Sequence, residues 1–224
     1  YGIFGQVSIS LDVSSDGKSI VYTKLNRNKK QSIVFDIWKL DIKSKIKEQL
    51  TKDMRANHPS FSPDDKDIVF IAHQNSTTQI YVMELDSRNI NAVSKNNGDT
   101  QVLNPKWSYD KNFLAYSQSD PDGYLDIHIH NLNSGNVEQV TKTPEADYNP
   151  IWHPNSESLS FTGFYNYTPN LYTFNRRTKQ IIQNTDVGDI IIGHKWNKKK
   201  STVSAFTLDV DGLSTIVDIK PNRK

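Results

Sequence analysis

The chain has 224 residues, 35% of them hydrophobic, with 27 basic and 25 acidic side chains and no cysteine. That is enough for one all-β domain, and no stretch approaches the roughly 20 apolar residues needed to cross a membrane as a helix. Lack of cysteine excludes disulfides and thiolate metal sites, and a net charge of +2 argues against nucleic acid, which would ask for a basic stripe.

In chain order, the first segment starts at Tyr1 with no Met, charged leader or apolar leader, which implies that a signal peptide is absent or removed, or that the chain is cut from a longer one. From Val13-Ser14 onward one short pattern recurs: Phe61-Ser62, Trp107-Ser108, Trp152-His153 and Trp196-Asn197, at spacings of 48, 46, 45 and 44 residues. Eight residues after each second member stand Tyr22, Phe70, Tyr116, Phe161 and, less well, Ala205. A second anchor repeats as Ile37-Trp38, Ile80-Tyr81, Ile127-His128, Leu171-Tyr172 and Ile216-Val217. Two anchors sharing one period define an array of like units, about 9–54, 55–98, 99–145, 146–189 and 190–224.

Each unit reads as short strands, because its apolar runs are rich in Ile, Val, Tyr, Phe and Trp and are bounded by Asp, Asn, Gly, Ser and Pro. In the second unit these are His58–Ser62, Ile68–Ala72, Gln79–Leu85 and Ile90–Ser94, here termed strands a to d. The a–b turns are Asp16-Gly17, Asp64-Asp65, Asp110-Lys111, Asn155-Ser156 and Lys198-Lys199, of which only the first has the two-residue hairpin composition. Four strands in 40 to 50 residues predict an all-β fold, a β-propeller of four-stranded blades with five units visible in a single domain spanning 1–224. The strand-a aromatics are expected to hold the blade stacking.

The fifth unit stops at Ile219, after strand c. Phe4-Gly5-Gln6-Val7-Ser8 resembles the strand-d segment Val137-Glu138-Gln139-Val140-Thr141, but only 6 residues separate Ser8 from Ser14, against 11 to 14 from each strand d to the next strand-a marker elsewhere. The expectation is therefore an open five-unit piece, or part of a larger ring such as a six-bladed one, rather than a closed ring of five.

Phe61-Ser62-Pro63-Asp64-Asp65-Lys66-Asp67-Ile68-Val69-Phe70, followed by Ile80-Tyr81-Val82-Met83-Glu84-Leu85-Asp86, resembles the TolB-type propeller repeat, W-S-P-D-G-K-x-I-x-F then I-Y-x-x-D-L. Ser14 to Tyr22 is a second good match, and Gln49-Leu50-Thr51 and Gln139-Val140-Thr141 match the closing L-T. The resemblance covers roughly 9–220 and weakens at His153-Pro154-Asn155 and Asn197-Lys198-Lys199. It implies a non-enzymatic, protein-binding scaffold of the bacterial envelope, periplasmic or secreted, with no cofactor and with an envelope lipoprotein as a candidate partner. Two other readings stay open: the accessory propeller that gates the catalytic domain of a peptidase of the prolyl-oligopeptidase kind, and a glycan-binding propeller.

No G-x-S-x-G, H-E-x-x-H or G-x-x-x-x-G-K-[ST] is present, so no catalytic residue is named. His128 and His130 share a strand face but lack a third ligand, and read as surface histidines. Asp120, Asp122 and Asp126 flank Gly123 in a segment too short for an EF-hand, and read as a b–c turn. The cationic run Lys198 to Lys200 reads as a solvated turn.

Recognition is therefore expected on loops. Alternating strand direction places the b–c and d–a connections at one side of each blade. From the strand-b aromatic to the strand-c anchor the first unit has 15 residues and the next three have 10, 11 and 10. The extra length carries Arg27, Lys29 and Lys30, while the third and fourth units carry Tyr124, Phe164, Tyr165 and Tyr167 at the same side. Those seven residues form the predicted protein-binding set, aromatics as anchors and cations as rim.

Overall fold

The computed structural model describes residues 10–27, 31–74, 76–119, 121–165, 168–186, 188, 190–197, 202–209 and 211–220. Among them the chain is all-β and forms five antiparallel sheets, each a meander of consecutive strands. It divides into two compact units, Tyr1–Asn96 and Asn97–Lys224.

The first unit holds two blades. Blade one comprises β1 (Leu11–Val13), β2 (Ser19–Arg27), β3 (Ile33–Asp41) and β4 (Lys47–Gln49), and blade two β5 (Ala56–Phe61), β6 (Asp67–Gln74), β7 (Thr77–Glu84) and β8 (Ile90–Ala92). Val21 and Ile37 of blade one are buried with Ala56, Phe61, Ile68 and Phe70 of blade two in one core. The second unit holds three. Blade three is β9 (Val102–Trp107), β10 (Phe113–Ser119), β11 (Leu125–Asn131) and β12 (Val137–Gln139); blade four is β13 (Asp147–Trp152), β14 (Ser158–Gly163), β15 (Asn170–Asn175) and β16 (Ile181–Gln183). Blade five has three strands among the described residues, β17 (Ile190–Asn197), β18 (Thr202–Leu208) and β19 (Ser214–Ile219). The repeats read from the sequence are thus the blades of an all-β, propeller-type fold.

The strand positions in blade two differ slightly from expectation. Strand c begins at Thr77 rather than Gln79, because the turn before it is tight and Thr77 pairs with Gln74. Strand d ends at Ala92, because the chain then bends so that the Ser94 hydroxyl can accept from the Ile80 amide at 2.8 Å. That bend is a repeated device: the amides of Ile37, Ile127 and Leu171 donate to Thr51, Thr141 and Thr185 Oγ1 at 2.8, 2.9 and 2.9 Å. Each hydroxyl in turn donates to the residue preceding the anchor: Asp36, Gln79, Asp126 or Asn170. The short outer strand is thereby fastened to the long third one through a buried polar clasp. Removing the Thr141 hydroxyl with Thr141→Val should cost about 1 to 2 kcal/mol, because the Ile127 amide and the Asp126 carboxylate would both lose a buried partner. Urea denaturation of the variant checks this, and an unchanged midpoint would remove the clasp from the account.

The a–b turns correct the two-residue hairpin expectation. Gly17, Asp65, Lys111 and Ser156 each donate their amide to the carbonyl three residues earlier, and all four have positive φ, 72°, 58°, 61° and 56°. This is a tight turn followed by one left-handed residue. Only Gly17 adopts that conformation without strain. In the first three blades the strand-a serine fixes it: Ser14, Ser62 and Ser108 Oγ donate to Asp16, Asp64 and Asp110, and accept from the amides of Ser19, Asp67 and Phe113.

Candidate functional site

The predicted binding residues fall on both units. In the first, Arg27 ends β2 and pairs with Ile33, while Lys29 and Lys30 lie outside the described residues. In the second, Tyr124 is 42% exposed just ahead of β11, Phe164 and Tyr165 follow β14, and Tyr167 lies outside the described residues. Phe164 and Tyr165 share one corner of blade four with different roles. The half-buried Phe164 ring tilts against Tyr148 of β13 at 5.7 Å between centroids. Tyr165 turns inward, packs on the core shared by blades three and four, and meets Tyr172 edge-on at 4.5 Å.

Beneath Tyr165 is a polar cluster that sequence reasoning did not single out. Asp147, the first residue of β13, is fully buried and pairs across the sheet with Gly163. Its Oδ2 accepts from Tyr165 Oη at 3.0 Å and Thr143 Oγ1 at 3.3 Å, while its Oδ1 has no hydrogen-bond partner. Burial pushes the Asp147 carboxyl up to about 6, and the neighbouring Asp126 charge adds to the shift. Burial likewise raises the Tyr165 phenol, with the Asp147 charge second, so the tyrosine remains a donor. Asp126 itself is a clasp residue: its carboxylate accepts from Gln139 Nε2, Thr141 Oγ1 and the Thr143 amide at 2.9, 3.2 and 3.3 Å.

Glycine 163 makes this closeness possible. A Cβ there would sit 2.8 Å from Asp147 Oδ1 and 3.0 Å from the rings of both Tyr165 and Tyr172. Gly163→Ala should therefore cost about 1 to 3 kcal/mol by forcing the corner apart. The accompanying readout is Tyr165: its amide and ring signals should move, and unchanged spectra would show that the corner can absorb a methyl group.

Two further arrangements escaped the sequence reading. His58-Pro59, Asn104-Pro105 and Asn149-Pro150 each put a left-handed residue, φ 52°, 52° and 54°, before a proline on strand a, at a register shift in the pairing with strand b. Proline disfavours the right-handed helical region for the residue before it, and Asn and His are among the side chains that accept positive φ. In the second unit Asn104 Nδ2 donates to Asn149 Oδ1 at 2.5 Å and Asn149 Nδ2 to the Ile192 carbonyl at 2.9 Å, an amide ladder across three blades. The recurring Asn/His-Pro three positions before the strand-a aromatic was the available signal. Secondly, His153 Nε2 lies 2.6 Å from Ser160 Oγ, which also accepts from Trp196 Nε1 at 3.3 Å, with the His153 and Trp196 rings 3.9 Å apart. Burial holds His153 down to about 3 and the nearby His194 to about 4, so both are neutral spacers between blades four and five at physiological pH.

His128 and His130 are buried, not surface residues as the sequence suggested. His128 stacks on Tyr116 at 5.8 Å, and burial lowers both imidazoles. The sequence could not show this because the covering ring comes from the neighbouring strand. Asp122 lies in the b–c turn, Asp126 is committed to its clasp, and Asp120 is outside the described residues, as are Lys198 to Lys200. Among the described residues no three His, Cys, Asp or Glu side chains converge as metal ligands.

No family model matches the chain. It is 26% identical to an uncharacterized protein, Atu1656, of Agrobacterium fabrum over 161 residues, 68% of this chain and 53% of that protein. It is 22% identical to the Tol-Pal system protein TolB of Alcanivorax borkumensis over 54% of this chain and 28% of that one. The chain thus spans about half the length of the first of these relatives and little more than a quarter of the second. Among solved structures, TolB from Acinetobacter baumannii superposes with a TM-score of 0.74 at 19% identity, covering 96% of this chain and 55% of that one. An oligogalacturonate lyase in complex with manganese gives 0.71 at 15% (100% and 65%) and the Pyrococcus horikoshii acylaminoacyl peptidase 0.66 at 15% (95% and 38%). At these identities the likeness is one of fold. No helix among the described residues is long and apolar enough to cross a membrane.

Proposed function

We propose that the chain is a non-enzymatic, protein-binding propeller of the bacterial envelope, periplasmic or secreted, whose partner is a protein of that compartment, an envelope lipoprotein being the candidate the TolB likeness suggests. The observation that carries the reading is the corner of blade four, where Phe164 stands half-exposed beside Tyr148 on a base fixed by Tyr165, Asp147 and Gly163. An aromatic held on a rigid base is the kind of group that dominates interface energies, since little rotamer freedom is lost on binding. Tyr124 and Tyr167 complete the proposed anchors of that unit, with Tyr165 as their base rather than an anchor, and Arg27, Lys29 and Lys30 are the proposed contacts of the first unit. A second reading, the accessory propeller of a peptidase, draws support from the fold likeness to the Pyrococcus horikoshii enzyme; a glycan-binding propeller draws on the lyase likeness alone.

Partner capture from envelope extract, followed by kinetics on variants, tests the first reading. Phe164→Ala should speed dissociation about tenfold or more with little change in association, whereas reversing Lys29 and Lys30 should slow association in a salt-dependent way. Purified chain should hydrolyse neither peptides nor esters. Binding that survives both sets of changes but fails on altering Lys66 or Lys111, in the a–b turns, would move the interface to the other side of the blades. Binding to a glycan array and to no protein would favour the third reading instead.

A further inference from the structure

Asn97-Gly98 is the one Asn-Gly pair in the chain, and it stands in the connection that leaves β8. The residues on either side are fastened. Asn96 is tied to blade two: its amide donates to Gln79 Oε1 at 2.8 Å, its Nδ2 donates to the Thr78 carbonyl at 2.8 Å, and its carbonyl accepts from Gln79 Nε2 at 2.6 Å. Gln101 is tied to blade three by its amide, which donates to Ser119 Oγ at 2.9 Å. Between them Asn97, Gly98 and Asp99 are exposed, and the turn they form is closed by a long bond, from the Thr100 amide to the Asn97 carbonyl at 3.4 Å.

An asparagine loses its side-chain amide when the backbone nitrogen of the next residue attacks its side-chain carbonyl carbon. That requires a nitrogen and a side chain not held by hydrogen bonds, and a backbone free to bring them together. Among the described residues neither the Gly98 amide nor the Asn97 side chain has a hydrogen-bond partner. Gly98 has φ 60°, and a Cβ there would meet nothing within 4 Å, so neither conformation nor crowding obstructs the approach. Comparable pairs elsewhere are locked. Asn133 Nδ2 donates to Asn112 Oδ1, and the following Ser134 amide donates to Asn131 Oδ1, both at 3.0 Å. Asn155 Oδ1 accepts from the amides of Glu157 and Ser158, while the Ser156 amide donates to the His153 carbonyl at 3.0 Å. Asn104 and Asn149 precede prolines, whose nitrogen carries no proton to lose.

We propose that Asn97 is a site of spontaneous modification, at which the folded chain deamidates through a cyclic imide to a mixture of isoaspartate and aspartate. The Gly98 nitrogen, having given up its proton, bonds to Asn97 Cγ; the Cγ–Nδ2 bond breaks, and the amide leaves as ammonia with that proton. Water then opens the imide at either carbonyl, so one water is consumed for each ammonia released. Opening at the main-chain carbonyl leaves Gly98 attached through Cγ, which lengthens the main chain by one methylene. Either product places a new negative charge two residues before Asp99. Because Asn96 and Gln101 are each fastened to a blade, the change stays within the turn between them. The modification does not depend on the partner-binding reading.

The test is incubation of the 224-residue chain in mildly alkaline buffer at physiological temperature, folded and in urea, with two readouts. Tryptic mapping follows the peptide 96–106, and an isoaspartate-specific carboxyl methyltransferase with labelled S-adenosylmethionine counts the isoaspartate formed. In the folded chain that peptide should be replaced by its isoaspartate and aspartate forms at a rate close to that in urea. Asn133 and Asn155 should convert in urea and stay intact in the folded chain. Asn97→Gln, at an exposed position, should keep the circular dichroism melt of the wild type and lose methyl incorporation in the folded state. An Asn97 that converts in urea but not when folded, an Asn133 or Asn155 that keeps pace with it in the folded chain, or undiminished methyl incorporation by folded Asn97→Gln would each overturn the proposal.

Discussion

Replacing Trp152 by alanine should lower the unfolding free energy by about 3 to 5 kcal/mol, the range for deleting a large aromatic from a packed core. Trp152 is 1% exposed and sits with Ala115, Ile127, Leu159 and Phe161 in the core between blades three and four. Its indole N–H donates to the Lys106 carbonyl at 3.1 Å, so the deletion removes an inter-blade hydrogen bond as well as the filling of the core. The Phe113 ring lies 6.0 Å away, and the Arg176 guanidinium covers Phe113 at 3.6 Å, so the site is walled by groups that cannot collapse inward without losing contacts of their own. Trp107 and Trp196, at the same position in blades three and five, are only half-buried and should cost less. Val13 is their exposed counterpart in blade one. Equilibrium denaturation with guanidinium distinguishes the cases. A loss under about 1 kcal/mol for Trp152→Ala would mean that the core does collapse around the deletion, and equal losses at all three tryptophans would mean that position in the repeat rather than burial sets the energetics.

What was legible in the sequence was whatever repeats with the period of the blade and is apolar. Ile37, Ile80, Ile127 and Leu171 were readable as anchors, and each is fully buried, because burial on both sides of a stacked blade leaves an uninterrupted apolar signal. Polar devices with the same period were less visible, since their chemistry varies while their geometry does not: aspartate (Asp36 and Asp126), glutamine (Gln79) and asparagine (Asn170) are three different solutions to accepting one hydroxyl. The left-handed residues Asp65, Lys111 and Ser156 carry no glycine to announce them, because side-chain and backbone hydrogen bonds impose the conformation. In the candidate site, Phe164 and Tyr165 stood out as aromatics in a loop that is ordinarily polar. Their division of labour did not, because it depends on Asp147, 18 residues earlier than Tyr165, reaching it across the sheet from the row of Gly163.

Asp147→Asn should stabilise the protein at pH 8 by about 2 to 3 kcal/mol and leave it nearly unchanged near pH 4, because the wild-type carboxyl titrates at about 6 when folded against an ordinary value of 3.8. The sign follows from the direction of the shift. A carboxyl whose folded value is raised favours the folded state when protonated, so its contribution is fully present below the unfolded value. It is lost as pH rises from about 4 through about 6, and above that the buried anion is a constant penalty. Carboxylates such as Asp16 and Asp41, held low by serine hydrogen bonds, act in the opposite sense and only in acid, so they do not mask the window. The gain is bounded by the unpartnered Oδ1, where an amide nitrogen would find no acceptor. Tyr165→Phe supplies the companion case: without the phenol that donates to Oδ2, ionisation becomes harder, and the stability of that variant should fall more steeply between pH 5 and 7 than the wild type's. Urea melts at half-unit intervals from pH 4 to 8 give both curves. A difference between wild type and Asp147→Asn that is flat across that range would show that Asp147 does not titrate there and that water reaches its free oxygen.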